Sequence, residues 1–279
     1  MTSPENKTYA QGYHPSVTRS HASRTVSTDA AFLLPYLRPN QHILDIGCGP
    51  GTITTGFSAY VPGGSVTGID VSAEVLDQAR ALALDKEVYN VKFDTGDILS
   101  GLAYKNGEFD VVFCSQTLCH LSDPVRGLRE MKRVCAPGGI VACREGDMLF
   151  RWYPLTHGLQ LFNDYMAKAM FACADRQYAS IGPVYRNGSM MHAWARKAGF
   201  DPDKIMKGAS TTVYASEEER KWWGMLHAER VEMSDVGRKF REAGASDSEL
   251  VQMVEALREW GNDVDGWYAL MQCEIICRV

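Results

Sequence analysis

The chain has 279 residues, 45% of them hydrophobic and 23% charged, which is material for one large domain or two small ones and too apolar for a disordered chain. Lysine and arginine total 29 against 34 acidic residues, a net charge of −5, which excludes a protein-wide basic field for nucleic acid. No apolar run approaches the roughly 20 residues that cross a bilayer, and the first 40 residues hold no secretory apolar region. Those 40 residues are rich in Ser and Thr, with Lys7, Arg19, Arg24 and Arg38 against Glu5 and Asp29. They read as an N-terminal arm over residues 1–27, on a cytoplasmic protein, with a mitochondrial presequence as the other reading. A short helix is expected over 28–37, ended by Pro39-Asn40. His42–Ile46 reads as a buried strand, 51–60 as a helix, and Ser65–Asp70 as a second strand. Ser72 caps a helix to about Leu84. Val91–Phe93 and Phe109–Cys114 are further strands, and Asp123-Pro124 starts a helix that Pro137-Gly138-Gly139 ends. Ile140–Cys143 is the fifth strand. Strands alternating with helices predict a parallel sheet buried on both faces.

Beyond residue 145 the alternation stops. Residues 148–185 carry Phe150, Trp152, Tyr153, Phe162, Tyr165, Met166, Met170, Phe171 and Tyr178. A helix from Met190 ends at Gly199, Ser210–Ala215 reads as a strand, and 216–260 as two or three helices. Trp267–Val279 is a final strand. The aromatic segments read either as a lid over an apolar acceptor or as ordinary core. The eight cysteines, from Cys48 to Cys277, contain no Cys-x-x-Cys pair, so neither a zinc cage nor a small disulfide scaffold is expected.

The most informative segment is Leu44-Asp45-Ile46-Gly47-Cys48-Gly49-Pro50-Gly51-Thr52, at a strand-to-helix junction. Gly47 permits the sharp turn, and Gly49 and Gly51 leave the backbone open to a ligand. A dinucleotide fingerprint needs glycine where Thr52 stands, and a phosphate loop needs Gly-Lys-Ser/Thr. Asp70 closes the next strand, where a carboxylate can accept hydrogen bonds from both hydroxyls of a ribose. Gly96-Asp97-Ile98 leaves the third strand. There an Asp can accept from an adenine amino group while Ile98 packs on the ring.

These motifs, LDIGCGPGT, IDVS, GDI, FDVVFCSQ and RVCAPGG, resemble in order and spacing those of class I S-adenosylmethionine-dependent methyltransferases over roughly 40–145. The likeness is to the ubiquinone/menaquinone-biosynthesis-type (UbiE-like) group. It extends through YAQGYHPSVTRSHASRT, WWGMLHAERV and DGWYALMQCEIICRV to a bacterial and fungal branch of that group. It implies an α/β fold: a Rossmann-like three-layer sandwich, with a seven-stranded, mostly parallel sheet whose last strand is antiparallel. One methyltransferase domain would occupy 28–279, with lid insertions at about 148–188 and 216–265. The cofactor would be S-adenosylmethionine, leaving as S-adenosylhomocysteine. Asp45 and the backbone of Gly47, Cys48, Gly49, Gly51 and Thr52 would hold its methionine part. Asp70 and Val71 would hold the ribose, and Gly96, Asp97 and Ile98 the adenine. Ser115 and Gln116 match positions after the fourth strand that contact the cofactor. The stretch LSGLAYKNGEFD after GDI departs from the group's usual Leu-Pro-Phe-type segment.

Methyl transfer to a nucleophile needs position, dryness and sometimes a base. His120 follows the fourth strand, at the edge where open α/β sheets bind ligands, and could accept a proton; a backbone-bonded turn histidine is the other reading. Tyr13 and Arg24 could close the arm over the cofactor, or belong to an exposed tether. His14, Glu145, Trp152, Tyr153, Trp222 and Trp223 are candidate acceptor contacts, with an ion pair to Arg144 or Arg151 the alternative for Glu145. A small-molecule acceptor with a C, O, N or S nucleophile is expected, with an aromatic or quinone-like metabolite as one such class. No Asn-Pro-Pro-Tyr signature of nucleobase methylation is present. The expected assembly is a monomer or homodimer. A cofactor-binding protein without turnover and a nicotinamide-dependent oxidoreductase are the competing classes; Thr52 argues against the second.

Overall fold

The computed structural model describes residues 15–170 and 187–279. Among the described residues a seven-stranded sheet has the order β3-β2-β1-β4-β5-β7-β6. Its strands are β1 His42–Ile46, β2 Ser65–Asp70, β3 Val91–Thr95, β4 Phe109–Ser115, β5 Cys135–Tyr153, β6 Ile205–Tyr214 and β7 Trp267–Arg278. β1 pairs in parallel with β2 and β4, β2 with β3, and β4 with β5. β7 runs the other way: Gly138, near the start of β5, donates to the Val279 carbonyl at 2.9 Å, and Val279 donates back to Gly139 at 3.1 Å. The Rossmann-like sheet with an antiparallel last strand is therefore present.

The helices start where local chemistry directs. They are α1 Pro15–Ala22, α2 Val26–Asp29, α3 Thr52–Phe57, α4 Ala73–Asp85, α5 Pro124–Val134, α6 His157–Met170, α7 Asn187–Lys197, α8 Glu217–Met233, α9 Asp235–Glu242 and α10 Asp247–Asn262. Ser72 caps α4 through Val75 N–H, and Asp123 caps α5 through Arg126 N–H with Pro124 at the first helical position. Capping boxes Ser216/Glu219 and Ser246/Glu249 start α8 and α10. The expected helix over 28–37 is not continuous. Thr25 caps the four-residue α2 three residues earlier, and only a 3-10 turn, Leu34–Tyr36, follows. Pro35 explains the interruption, because it has no N–H to donate to an α-helical ladder.

Two compact units divide the chain. One comprises 21–145, 188–209 and 273–279; it holds β1 to β4 and the start of β5. Its core is built from Leu33, Ile43, Phe57, Val66, Val111 and Phe113, with Ile276 from β7. The other comprises 1–20, 146–187 and 210–272, and is mostly helical among its described residues. Its core is aromatic: Trp152, Phe162, Tyr165, Phe240, Trp260 and Tyr268.

Two helices of this second unit meet at glycine. A Cβ on Gly224 in α8 would stand 2.4 Å from the Leu257 carbonyl oxygen and 3.1 Å from Cα of Gly261 in α10. Gly224→Val is therefore expected to destabilise the protein by about 1–3 kcal/mol through overpacking. That corresponds to a fall in Tm of roughly 2–4 °C per kcal/mol for a chain of this size. Unchanged thermal unfolding of the variant would contradict this close approach. Among the described residues, no helix is long and apolar enough to cross a membrane.

Candidate functional site

The glycine loop lies where β1 leaves the sheet. Gly47, Gly49 and Gly51 all adopt left-handed φ values, 68°, 53° and 78°. Gly47 is also sterically required, since a Cβ there would meet Thr117 Oγ1 at 2.5 Å. Around Gly49 a Cβ would meet nothing within 4 Å, so the backbone is open there, whereas at Gly51 it would meet Ala79 Cβ at 2.7 Å and the Phe93 ring at 3.0 Å, so Gly51 is required by packing and not by an open face. Gly47 and Cys48 N–H both donate to the Ile69 carbonyl, at 2.8 and 3.0 Å, which ties the loop to β2.

Asp70 at the end of β2 stands beside this loop. One carboxylate oxygen accepts from Gly49 N–H at 3.1 Å and the other from Ser72 N–H at 3.0 Å. Val71 N–H adds to these bonds, and a carboxylate's roughly four acceptor positions still leave room for a further donor. Partial burial pushes the Asp70 carboxyl up, opposed by its backbone hydrogen bonds. Val71 beside it is exposed. Asp45, in the middle of the sheet opposite Gly68 and Phe113, is buried and accepts from Thr54 Oγ1 at 2.6 Å. Burial raises its pKa to about 7, and the Asp70 charge adds to this.

The remaining cofactor candidates ring the same edge. Asp97 accepts from Leu99 N–H at 2.9 Å and from Ser100 Oγ at 2.8 Å, closing the turn after Gly96, and Ile98 beside it is buried. Ser115 ends β4; its Oγ is buried with no hydrogen-bond partner among the described residues. Gln116 takes a left-handed φ of 54° and donates its N–H to the Arg144 carbonyl at 2.8 Å. Thr52 Oγ1 faces the carbonyl of His21 at 3.5 Å, and the half-buried Arg24 follows three residues later. Tyr13 and His14 lie outside the described residues.

Glu145 is the residue whose neighbourhood was least foreseeable. Neither Arg144 nor Arg151 pairs with it among the contacts of the described residues; Arg144 pairs with Asp29 at 2.8 Å and Glu274 at 3.6 Å. Glu145 is fully buried, and its Oε1 accepts the backbone N–H groups of Thr117 and Leu118 at 2.8 and 2.6 Å. Burial pushes its carboxyl up to about 6, while the Cys119 thiol, the two amides and the Arg24 charge pull it down. It thus clamps the segment after β4, where Leu118–His120 forms a 3-10 turn and His120 is half-buried.

The aromatic candidates belong to the helical unit. Trp152 is core, packed at 4.8 Å on Trp260 and 4.6 Å on Tyr268 with its indole N–H on Asn163. Trp222 and Trp223 lie 5.5 Å apart around Tyr214, and Tyr153 is 62% exposed. Among the described residues no group of His, Cys, Asp and Glu could hold a metal ion.

A methyltransferase-domain family model matches residues 37–211. The chain is 34% identical to the probable methyltransferase ltbC of Aspergillus luteorubrus, covering 98% of this chain and 97% of that protein. It is 35% identical to an uncharacterised methyltransferase of Schizosaccharomyces pombe, covering 99% and 98%. The crystal structure of YcgJ from Bacillus subtilis shares the fold, with a TM-score of 0.57 and 18% identity over 90% of this chain and 97% of that one. The open backbone at Gly49, the remaining acceptor capacity of Asp70 and the unpartnered Ser115 hydroxyl fit a polar nucleoside cofactor. The chain belongs to the methyltransferase family, and its cofactor is S-adenosylmethionine.

Proposed function

We propose that the chain methylates a small aromatic or quinone-like molecule, and that it belongs to the quinone-biosynthesis-type branch its motifs resemble. The observation that carries the cofactor assignment is the Asp70 carboxylate. It is held at the end of β2 by Gly49 and Ser72 N–H groups, one on each oxygen, and keeps acceptor capacity that a ribose hydroxyl can use. Asp45 and the backbone of residues 47–52 would hold the methionine part, Val71 would flank the ribose, and Gly96, Asp97 and Ile98 would frame the adenine. Ser115 and Gln116 would complete the edge, and Arg24 would meet the carboxylate.

The cofactor, when bound, supplies a methyl group already activated on a sulfonium. The chain therefore has to orient the acceptor in line and keep water out. His120, on the segment held by Glu145, would take a proton where the acceptor arrives protonated. Asp70→Ala should weaken S-adenosylmethionine binding by about 1.5–3 kcal/mol, the worth of charge-assisted hydrogen bonds. Calorimetry with unchanged affinity would remove the ribose assignment. For the acceptor class, methyl-labelled cofactor is incubated with a fractionated metabolite extract. Label is expected in small aromatic products, and label only in macromolecules would overturn the acceptor reading.

A further inference from the structure

Helix α8 buries a polar stripe that the cofactor chemistry leaves unused. Trp223, His227 and Arg230 stand at i, i+4 and i+7, so they share one face of the helix. His227 is 2% exposed, and Tyr268 on β7, in the same core, is 0% exposed. Among the described residues, neither ring nitrogen of His227, nor the Tyr268 hydroxyl, nor the Trp223 indole N–H has a hydrogen-bond partner. Buried polar groups are almost always paired, and leaving one unpaired costs free energy, so four such atoms in one aromatic cluster require an explanation.

The cluster is compact. The Trp223 ring lies 4.3 Å from that of His227 and 5.3 Å from that of Tyr268; Phe150 lies 6.5 and 5.8 Å from the same two rings, and Phe162 lies 5.1 Å from His227. Burial, with the Arg230 charge beside it, holds the His227 imidazole well below its usual pKa, so the ring is neutral, with one donor and one acceptor. The Arg230 guanidinium donates to Ser20 Oγ, and its charge also acts on Tyr268. Among the unpartnered atoms donors outnumber acceptors: an indole N–H, an imidazole N–H and a phenol hydrogen against one imidazole nitrogen and the phenol oxygen. Apolar ring faces surround them.

The geometry points to Trp223, His227, Arg230 and Tyr268 as a binding site, within the helical unit, for a planar aromatic ligand that carries oxygen acceptors such as a quinone carbonyl, a phenolate or a carboxylate. The ring faces supply apolar contact, the excess donors select oxygen, and the arginine favours negative charge. The choice of ligand rests on the aromatic acceptor reading above.

The test is calorimetric titration of the full chain with 2-hydroxy-1,4-naphthoquinone, beside a parallel titration with S-adenosylmethionine. The wild type should bind the quinone. Tyr268→Phe, which removes one oxygen and keeps the ring, should weaken it by about three- to tenfold, and His227→Leu by at least as much. Both variants should bind S-adenosylmethionine as the wild type does. No quinone binding by the wild type, or equal binding by both variants, overturns the site. If thermal stability rises in both variants with quinone binding unaltered, the polar atoms are tolerated core defects. Normal S-adenosylmethionine binding in any of these cases leaves the methyltransferase reading intact, whereas its loss in the wild type would strike that reading.

Discussion

Replacing Asp45 with Asn is expected to make the protein more stable and its cofactor binding weaker. The folded state holds the Asp45 carboxyl at a pKa of about 7, against 3.8 for the ordinary side chain, because burial in the sheet disfavours the charge and Asp70 adds repulsion. Between those two values the folded chain binds a proton that the unfolded chain has released. The contribution of this group to stability is therefore fully present below about pH 4 and lost as pH rises through 7. At pH 8 the buried carboxylate costs on the order of 4 kcal/mol, since the displacement spans about three pH units and each is worth about 1.4 kcal/mol. Asn accepts from Thr54 without the charge, so Asp45→Asn should gain on the order of 2–4 kcal/mol at pH 8 and almost nothing below pH 4. Denaturant titrations at the two pH values check this, and a variant less stable than wild type at pH 8 would contradict it. In the proposed site the same carboxylate meets the cofactor ammonium, and the variant should lose about 1.5–3 kcal/mol of affinity by calorimetry. A stabilising substitution that weakens binding is the signature of a charge retained for function.

Removing Glu145 has the second large effect. Glu145→Ala leaves the buried Leu118 N–H and the part-buried Thr117 N–H without an acceptor, at about 1–3 kcal/mol each. The expected loss of stability is about 2–5 kcal/mol, read from the denaturant midpoint at pH 7. Glu145→Gln keeps an acceptor oxygen and should recover most of it. Glu145 also has a raised pKa, about 6, so the wild type gains stability from this group as pH falls from 6 to 4.5, and the Gln variant should lack that gain. The 3-10 turn with His120 hangs on the same two amides, and under the proposed role of His120 a displacement of about 1 Å there would cost up to about 100-fold in rate. If Glu145→Ala unfolds at the wild-type midpoint, the carboxylate is not the clamp described.

The part of this fold legible from sequence is the part governed by local rules. Alternating glycines at Gly47, Gly49 and Gly51 mark a strand exit because few other residues tolerate their φ, and Asp123-Pro124 announces α5 because a cap and a ring that suits the first helical position stand side by side. The cofactor edge could be assembled from such signals. The Thr117 methyl and hydroxyl pressed on Gly47, and the two amides bonded by Glu145, could not be, because both partners are distant in sequence and one of them is backbone. A sequence displays charges but not which N–H groups a fold leaves open, so Glu145 suggested an arginine partner while the fold supplied amides. Pro35 is a visible signal against a continuous helix over 28–37, since its ring removes a backbone donor there. In α8 the Trp-His-Arg spacing is visible, but only packing decides that its polar face turns inward.

The interleaving of the two units along the chain sets the order in which they can close during synthesis. At residue 145 the unit that holds β1 to β4 still lacks residues 188–209 and 273–279, and its sheet needs the latter beside the first half of β5. Residues 146–272 come off the ribosome in between, which takes about 6–25 s at typical elongation rates. Throughout that interval the nascent sheet presents an unpaired, apolar β5 edge (Ile140, Val141, Ala142 and Cys143) to any neighbouring strand. The topology therefore leaves that edge to be covered last, by the final residues of the chain.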